Sequence, residues 1–431
     1  MKPGSLQRCQ VVTPPDVVSF MWHLARERRF KIGHVVDLGA GDGRFAQGGP
    51  YSHYVGYEID RSRHATANLP AGASIRHVDA FAELNGDLYD LAIGNPPYVK
   101  SSELNANWRE KICTNLGERL GLQLARNANL FVYFLFLGLI RTKPDGLSVQ
   151  LVPYEWVTRP SAKALRNFIG RNGWSVDVYR FRYDIFDRVM TTASITVIDK
   201  ATKATSWRHF ELSKNFEAHR RRGPSGSRAA VLPYVRRDDD SYCLRGLSPG
   251  GQDIFVLTEH ERVFYRLNPK HDLYPAVTTL RTVPDSLITL DRKAFDRHFV
   301  QGGARCWLVR SDVAEPSARV KEYLSSVPTE RWSRYSTCTE RPSWWQFKSH
   351  PVPPILMACG FRETAPKVVT NEAGAVACGS VYGVFAEKGI ATLVRKLRHF
   401  DFGSRVVSHS NGLKKVEVNQ VNAALQAILN I

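Results

Sequence analysis

The segment Val35-Val-Asp-Leu-Gly-Ala-Gly-Asp-Gly43 has the pattern of an apolar strand that runs into a glycine-rich turn. Glycine lets the backbone approach a ligand closely, because it carries no Cβ. A second apolar segment, 54–60, places the acid Glu58 about twenty residues after the first strand, the spacing of a carboxylate that binds ribose hydroxyls. These residues predict an α/β domain with a ligand at the turn. A turn that Asp42 caps without any ligand is the alternative.

The glycine spacing narrows the class of ligand. The turn reads G-x-G-x-G, whereas a dinucleotide fingerprint has its third glycine later, as G-x-G-x-x-G. The chain also contains no G-x-x-x-x-G-K-[ST] phosphate loop. We therefore expect a nucleoside ligand that lacks a pyrophosphate.

Segments typical of strands and helices alternate from residue 15 to about residue 200. Strands are predicted at 34–38, 54–59, 74–78, 88–93, 147–152, 176–181 and 193–198, and helices at 15–29, 129–140 and 161–169. The polar segment before residue 129 is predicted to be a loop. This alternation predicts a mostly parallel sheet with helices on both faces, in which ligands bind at the carboxyl ends of the strands.

The composition changes at residues 219–228, a basic stretch with Gly and Pro and no apolar period. Such a stretch is typical of a linker or a solvated surface loop. We predict a first domain at 1–212, a basic linker at 213–232 and a second domain at 233–431. Short apolar runs between turns predict that the second domain is smaller, strand-rich and of the α+β class.

Charge and composition restrict the class of protein. The 431 residues include 59 Lys and Arg against 41 Asp and Glu, a net charge of +18 that suits a polyanionic partner such as nucleic acid. The most apolar run, 130–140, is far shorter than the ~20 residues of a membrane-spanning helix, and the N-terminus carries no secretion signal. Seven scattered cysteines without a C-x-x-C argue against a zinc ribbon and a disulfide framework. We expect a protein of the reducing cytoplasm, without membrane or metal.

The segment Tyr89–Tyr98 is an apolar strand that ends in Asn95-Pro96-Pro97-Tyr98. Two prolines make the loop stiff. The Asn95 side chain and the Pro96 carbonyl supply two acceptors for a planar –NH₂ group, and Tyr98 supplies a ring on which a base can stack. Hydrogen bonds from both N–H groups would localise the nitrogen lone pair and aim it at an electrophile, so that positioning replaces a strong general base.

A third motif, Asp79-Ala80-Phe81, follows the predicted strand at 74–78. Asp79 is suited to accept a hydrogen bond from an adenine amino group while Phe81 flanks the ring. The alternative is an aspartate that only caps a helix N-terminus.

The order of these motifs resembles the S-adenosylmethionine-dependent N6-adenine DNA methyltransferases of the TaqI type, the γ group with target recognition at the C-terminus. The resemblance covers residues 10 to about 200, beginning with Thr13-Pro14-Pro15, and extends more loosely through the segments 341–345, 354–371 and 410–416. It implies a Rossmann-like class I methyltransferase sheet followed by a recognition domain. It also implies S-adenosylmethionine as the cofactor.

The resemblance implies a role for each residue that matches a family motif. The cofactor-binding residues that it implies are Thr13, Pro14, Asp37, Gly39, Ala40, Gly41, Glu58, Ile59, Asp79, Ala80, Phe81 and Asn95. The target adenine would be held by Asn95, Pro96, Pro97 and Tyr98, with Phe186 on the opposite face of the flipped base. The alternative for Phe186 is a core phenylalanine between two strands.

The function implied by the resemblance is methylation of the N6 amine of an adenine flipped out of double-stranded DNA, in a restriction–modification or phage-defence system. The amine would attack the methyl group in line. We expect a monomer, with any cognate restriction endonuclease acting separately. Arg362, Lys414 and Lys415 are candidate DNA contacts, with salt-bridged surface as the alternative, whereas Trp344 and Trp345 are expected in the core. The competing functions are methylation of RNA adenine or protein glutamine, and DNA binding without catalysis.

Overall fold

The computed structural model describes residues 12–64, 68–186, 192–204, 206–221, 223, 232–237, 240–407 and 413–429. The described residues divide into two compact units, one before and one after the boundary between Ser227 and Arg228. This boundary lies inside the segment 213–232, which the sequence predicted as a linker. Residues 222 and 224–231 of that segment lie outside the described residues.

The first unit is built on a nine-stranded sheet. Its strands are β1 (His34–Asp37), β2 (His53–Tyr57), β3 (Ala73–Arg76), β4 (Tyr89–Gly94), β5 (Thr142–Pro153), β6 (Trp174–Phe181), β7 (Ala193–Lys203), β8 (Arg208–Leu212) and β9 (Ala218–Arg221). Their order in the sheet is β3-β2-β1-β4-β5-β7-β6-β8-β9. The five strands from β3 to β5 run parallel, while β7 is antiparallel to both β5 and β6. The predicted, mostly parallel sheet is thereby confirmed.

Helices and short 3₁₀ turns connect these strands. The helices are α1 (Pro15–Arg28), α2 (Arg61–His64), α3 (Ala106–Leu120), α4 (Leu130–Ile140) and α5 (Lys163–Asn172). The 3₁₀ turns lie at Arg44–Gln47, Ala80–Ala82, Ser101–Glu103, Tyr154–Val157 and Pro160–Ala162. Every residue of α4 from Leu130 to Leu139 is buried, as its uniformly apolar sequence requires.

Two segments differ from the prediction, because neither has a regular apolar period. Helix α3 occupies part of the segment that was predicted as a loop. Its buried face is sparse, with Ile112, Cys113 and Leu116 among polar residues. Strand β9 occupies residues 218–221, which were predicted as linker, and pairs antiparallel with β8. All four β9 side chains are exposed, so no alternation of apolar and polar residues marks this strand.

The second unit is strand-rich with short helices, as predicted. Its strands are β10 (Ser241–Leu244), β11 (Val256–Leu257), β12 (Leu273–Val277), β13 (Thr289–Leu290), β14 (Trp307–Val309), β15 (Ile355–Ala358), β16 (Gly360–Phe361), β17 (Val368–Asn371), β18 (Val376–Ala377), β19 (Val381–Ala386) and β20 (Lys414–Lys415). They form sheets in the orders β10-β19-β15-β17-β13, β11-β14-β12-β18 and β16-β20.

The helices of the second unit are mostly one or two turns long. They are α6 (Gln252–Phe255), α7 (Glu259–Phe264), α8 (Arg292–Phe295), α9 (Ala318–Ser325), α10 (Thr329–Trp332), α11 (Ser336–Thr339), α12 (Ile390–His399), α13 (Phe402–Arg405) and α14 (Val418–Leu429). A π-helical turn, Asp296–Val300, continues α8. Across the described part of the chain, no helix combines the length and apolarity needed to cross a membrane.

Candidate active site

A cleft that opens to solvent lies beyond the carboxyl ends of β1, β2 and β4. The predicted site residues that line it are Thr13, Gly39, Ala40, Gly41, Glu58, Ile59, Asp79, Ala80, Phe81, Asn95, Pro96, Pro97 and Tyr98. The structure therefore brings residues from five separate segments of the sequence to one cleft. Pro14, Asp37 and Phe186, which were also predicted as site residues, do not line it.

Glu58 ties the glycine turn to the end of β2. Its Oε2 accepts a hydrogen bond from the backbone N–H of Gly41, and its Oε1 accepts one from the N–H of Asp60, both at 2.8 Å. Gly41 has a φ of +56°, a conformation that favours glycine. Each carboxylate oxygen can accept a second hydrogen bond, so Glu58 can hold the turn and also bind ribose hydroxyls.

Asp37 supports the glycine turn from beneath. Its Oδ1 accepts from the N–H of Gly39 at 3.2 Å and its Oδ2 from the hydroxyl of Tyr54 at 2.8 Å. A Cβ at Gly94 would stand only 2.5 Å from Oδ1, so a glycine is needed on β4. Burial raises the pKa of the Asp37 carboxyl to about 7. Both oxygens of Asp37 therefore accept hydrogen bonds from the protein, and the residue does not line the cleft.

The Asp79 carboxylate has two donors within the protein. Its Oδ1 caps the 3₁₀ turn by accepting from the N–H of Phe81 at 3.0 Å, and its Oδ2 accepts from the indole N–H of Trp108 at 2.9 Å. The ring of Phe81 is edge-on to Trp108 and to Phe134, with centroids 5.5 Å and 4.9 Å apart. Trp108 and Phe134 also line the cleft, and the motif analysis missed both.

Asn95, which follows β4, is oriented by the segment that begins with Thr13. Its Nδ2 donates to the hydroxyl of Thr13 at 3.1 Å, and Thr13 is buried. The carbonyl of Thr13 accepts from the guanidinium of Arg44, whose Nε also donates to Asp42 at 2.9 Å. Hydrogen bonds from Arg44 lower the pKa of Asp42. The glycine turn, Thr13 and Asn95 are thus joined by one hydrogen-bonded chain.

Tyr98 is fixed at its hydroxyl, which donates to the carbonyl of Leu151 at 3.0 Å. Burial raises the pKa of Tyr98, so the phenol stays neutral. The ring of Phe186 is edge-on to Tyr98, with centroids 6.3 Å apart and planes at 71°. A base stacked between two rings needs them parallel and roughly 7 Å apart. Phe186 is buried in the core in this structure, which is the alternative that the sequence left open.

The three candidate DNA-contacting residues meet at a two-stranded sheet in the second unit. Strand β16 pairs antiparallel with β20, and Arg362 follows β16 directly. Arg362 and Lys415 are exposed, whereas the Lys414 ammonium donates to the carbonyl of Gly403 at 2.6 Å. The residues 410–412, which belong to the same resemblance, lie outside the described residues.

The sequence also led to predictions about two tryptophans of the second unit and about metal binding. Trp344 and Trp345 are half-buried and pack against the core, and Trp344 stacks on Trp332 with centroids 5.1 Å apart. This packing agrees with a core position. Among the residues that the structure describes, no group of three or more His, Cys, Asp or Glu side chains could hold a metal ion.

Two protein-family models match this chain. Residues 59–186 match the Eco57I restriction-modification methylase, and residues 245–398 match the C-terminal domain of the type II methyltransferase M.Eco57I. The first match contains the motifs Asp79–Phe81 and Asn95–Tyr98, and the second covers most of the second unit. The two matches lie on either side of the boundary between the units.

Two individual proteins that are similar in sequence to this chain are type II methyltransferases. A type II methyltransferase of Thermus thermophilus is 29% identical over 172 residues, which are 38% of this chain and 39% of that protein. This alignment therefore spans less than half of the relative. The type II methyltransferase M.XamI of Xanthomonas campestris pv. amaranthicola is 22% identical over 457 aligned positions, covering 95% of this chain and 83% of the relative.

A solved structure shares the architecture over both units. The type IIL restriction-modification enzyme MmeI, determined in complex with DNA, aligns with a TM-score of 0.59 and 10% identity over 94% of this chain and 63% of that one. At this identity the match shows the fold alone. The fold is a class I methyltransferase sheet followed by a strand-rich second unit.

The cofactor of this chain is S-adenosylmethionine, and the cleft fits it. Glu58 follows β2 and lines the cleft together with Gly39, Ala40 and Gly41. Asp79 and the rings of Phe81, Trp108 and Phe134 form a polar and aromatic wall of the cleft, a combination that suits an adenine base.

The predicted resemblance to a DNA methyltransferase with a C-terminal recognition domain is confirmed by these matches. Residues 59–186 match a restriction-modification methylase, and residues 245–398 match the C-terminal domain of a type II methyltransferase. Together the matches support a type II DNA methyltransferase with a C-terminal domain like that of M.Eco57I.

Proposed function

We propose that the chain is a site-specific DNA methyltransferase that transfers a methyl group from S-adenosylmethionine to the N6 amine of adenine. The observation that carries this proposal is that Asn95, Pro96 and Tyr98 line the same cleft as Gly41 and Glu58. Two acceptors for an amine and a ring for stacking thus stand beside the residues that suit the cofactor. A Cβ on Gly39 would lie 3.5 Å from the Cδ of Pro97, so the glycine turn and the catalytic loop are neighbours.

The protein contributes position rather than a strong base. Thr13 accepts from Nδ2 of Asn95 and so selects the orientation of the amide. In that orientation Oδ1 of Asn95 and the carbonyl of Pro96 accept from the two N–H groups of the target amine, while Tyr98 stacks on the base. S-adenosylmethionine, when bound, supplies an electrophilic methyl group. The two hydrogen bonds localise the amine lone pair and hold it toward the cofactor part of the cleft.

The proposed substrate is double-stranded DNA, from which the adenine is flipped at a cost of a few kcal/mol. The net charge of +18 suits contacts to DNA phosphates. Arg362 and Lys415 are exposed on one small sheet of the second unit, and we assign them to such contacts. We also propose that the enzyme acts in the cytoplasm as a monomer, as the modification activity of a restriction–modification system with a separate endonuclease.

Methylation-sensitive sequencing of DNA from cells that express the chain tests the reaction and the substrate together. The wild type should produce N6-methyladenine at one sequence motif. Asn95→Ala should abolish the signal, because it removes an acceptor for the amine. Asn215→Ala is the matched control, since Asn215 is exposed between β8 and β9, and it should leave the signal unchanged.

Cofactor binding separates the role of Asn95 from a loss of folding. Titration calorimetry with S-adenosylmethionine should show that Asn95→Ala still binds the cofactor, with an affinity within about tenfold of wild type. An unmodified genome together with intact cofactor binding by the wild type would contradict the proposed DNA substrate. Methylated RNA adenine or protein glutamine in the same cells would then identify the substrate.

A further inference from the structure

Trp108 is held at both its backbone and its side chain. It lies in the first turn of α3, where its backbone N–H donates to Oδ1 of the capping residue Asn105 at 3.0 Å. Its indole N–H donates to Oδ2 of Asp79 at 2.9 Å. The indole also meets the ring of Phe81 edge-on, with planes at 89°, and it lines the cleft. The ring therefore has little freedom to turn away from Asp79.

Trp108 and Phe81 together fix the Asp79 carboxylate. One oxygen accepts from the Phe81 N–H and the other accepts from the Trp108 indole. Two donors at opposite oxygens prevent rotation of the carboxylate about its last bond. Each oxygen can still accept one more hydrogen bond, but a carboxylate cannot donate one. A fixed carboxylate of this kind favours a ligand that presents an N–H group and disfavours one that presents a carbonyl oxygen at the same point.

We propose that Trp108 is a positioning residue that sets the base specificity of the cofactor site. By holding Asp79, it makes that carboxylate select the exocyclic amine of the cofactor's adenine over the 6-oxo group of hypoxanthine. This inference rests on the proposed function, which places the cofactor adenine beside Asp79 and Phe81. It assigns a role in recognition to α3, a helix that contributes no residue to the sequence motifs of the site.

Binding of two product analogues to the full-length chain tests this role. S-adenosylhomocysteine carries the 6-amino group and an unprotonated N1, whereas S-inosylhomocysteine carries a 6-oxo group and a hydrogen on N1; the two are alike outside this edge of the base. Titration calorimetry should show that wild type prefers the adenine compound by roughly 100-fold, as expected for a charge-assisted hydrogen bond that becomes a repulsion between acceptors. Asp79→Asn should reduce this preference most.

The variants at Trp108 separate its N–H group from its bulk. Trp108→Phe keeps an aromatic ring but removes the donor, and the preference should fall about tenfold, mainly through weaker binding of the adenine compound. Trp108→His keeps a ring N–H and should retain more of the preference than Trp108→Phe. Trp332→Phe, in the second unit, is the matched control and should leave the preference at the wild-type value. Unfolding temperatures show whether each variant is folded.

The outcomes distinguish this inference from the proposed function. An unchanged preference in Trp108→Phe, with both analogues weakened equally, would show that Trp108 is only a wall of the cleft. Equal loss of preference in Trp108→Phe and Trp108→His would also overturn the role of the N–H group. A wild type that binds both analogues equally would contradict the placement of the adenine at Asp79. Failure of DNA methylation with the preference intact would contradict the proposed function alone.

Discussion

Replacing Thr13 by Val should slow methyl transfer without unfolding the protein. The Thr13 hydroxyl accepts from Nδ2 of Asn95 at 3.1 Å, and Thr13 is only 2% exposed. A valine methyl group fills the place of the hydroxyl, so Nδ2 loses this acceptor. An unsatisfied buried donor costs about 1–3 kcal/mol. If this cost falls on the productive orientation of the amide, kcat should decrease by roughly 5- to 150-fold.

Single-turnover methylation of a DNA duplex with saturating enzyme and S-adenosylmethionine measures the rate of the step itself. Thr13→Ser is the matched control, because it keeps the hydroxyl and should remain within about threefold of wild type. Thr13 also lines the cleft, so cofactor affinity is measured in parallel by titration. A wild-type rate for Thr13→Val, or an equal loss in Thr13→Ser, would refute the reasoning that the hydroxyl orients Asn95.

Three further predictions concern stability and DNA binding. Burial raises the pKa of Asp37 to about 7 in the folded protein, above about 3.9 in the unfolded chain. The free energy of unfolding should therefore fall by up to about 4 kcal/mol as the pH rises from about 4 to 7, and then level off. Denaturant unfolding at several pH values should show that Asp37→Asn flattens this dependence. Parallel pH profiles for the wild type and Asp37→Asn would contradict the raised pKa. Arg362→Ala and Lys415→Ala should each lower the slope of log Kd for DNA against log salt concentration by about 1. Fluorescence anisotropy with labelled DNA measures this slope. Lys414→Ala should change the slope less, because the Lys414 ammonium donates to a backbone carbonyl. Arg141 is fully buried and donates to the carbonyls of residues 83 and 87 and to a tyrosine hydroxyl. Arg141→Met should lower the free energy of unfolding in urea by about 3 kcal/mol or more, because those acceptors lose their donor. A decrease under about 1 kcal/mol would show that the acceptors find other partners.

The parts of the fold that the sequence predicts are those with a strong apolar pattern. Strands β1, β4 and β5 and helix α4 carry runs of buried apolar residues, and their positions agree with the prediction to within a few residues, except for a longer β5. Helix α3 has only a narrow buried face, and β9 has none. These two elements are held by a cap and by pairing with β8, contacts that do not leave a period in the sequence.

Some residues of the candidate site could also be predicted from the sequence, and others could not. Glu58, Asp79 and Asn95 follow strands whose carboxyl ends meet, so their position at one cleft follows from the order of the strands. The sequence does not reveal which way a side chain turns at a strand end, and Asp37 points under the turn. Motif analysis also could not identify Trp108, because its contact with Asp79 joins residues that are 29 positions apart in the sequence.

Strand β9 has a consequence for the behaviour of the protein in solution. Among the residues that the structure describes, it forms one edge of the nine-stranded sheet, and an edge strand presents unpaired backbone groups to which another chain can add. Here that edge carries His219, Arg220 and Arg221, all exposed. When a second copy approaches with the same edge, the arginines of the two copies repel each other and oppose pairing, although Glu211 offsets part of this charge by accepting from Arg221 at 3.1 Å. Because this protection is electrostatic, it weakens as salt is raised, so self-association should be sought first at high ionic strength.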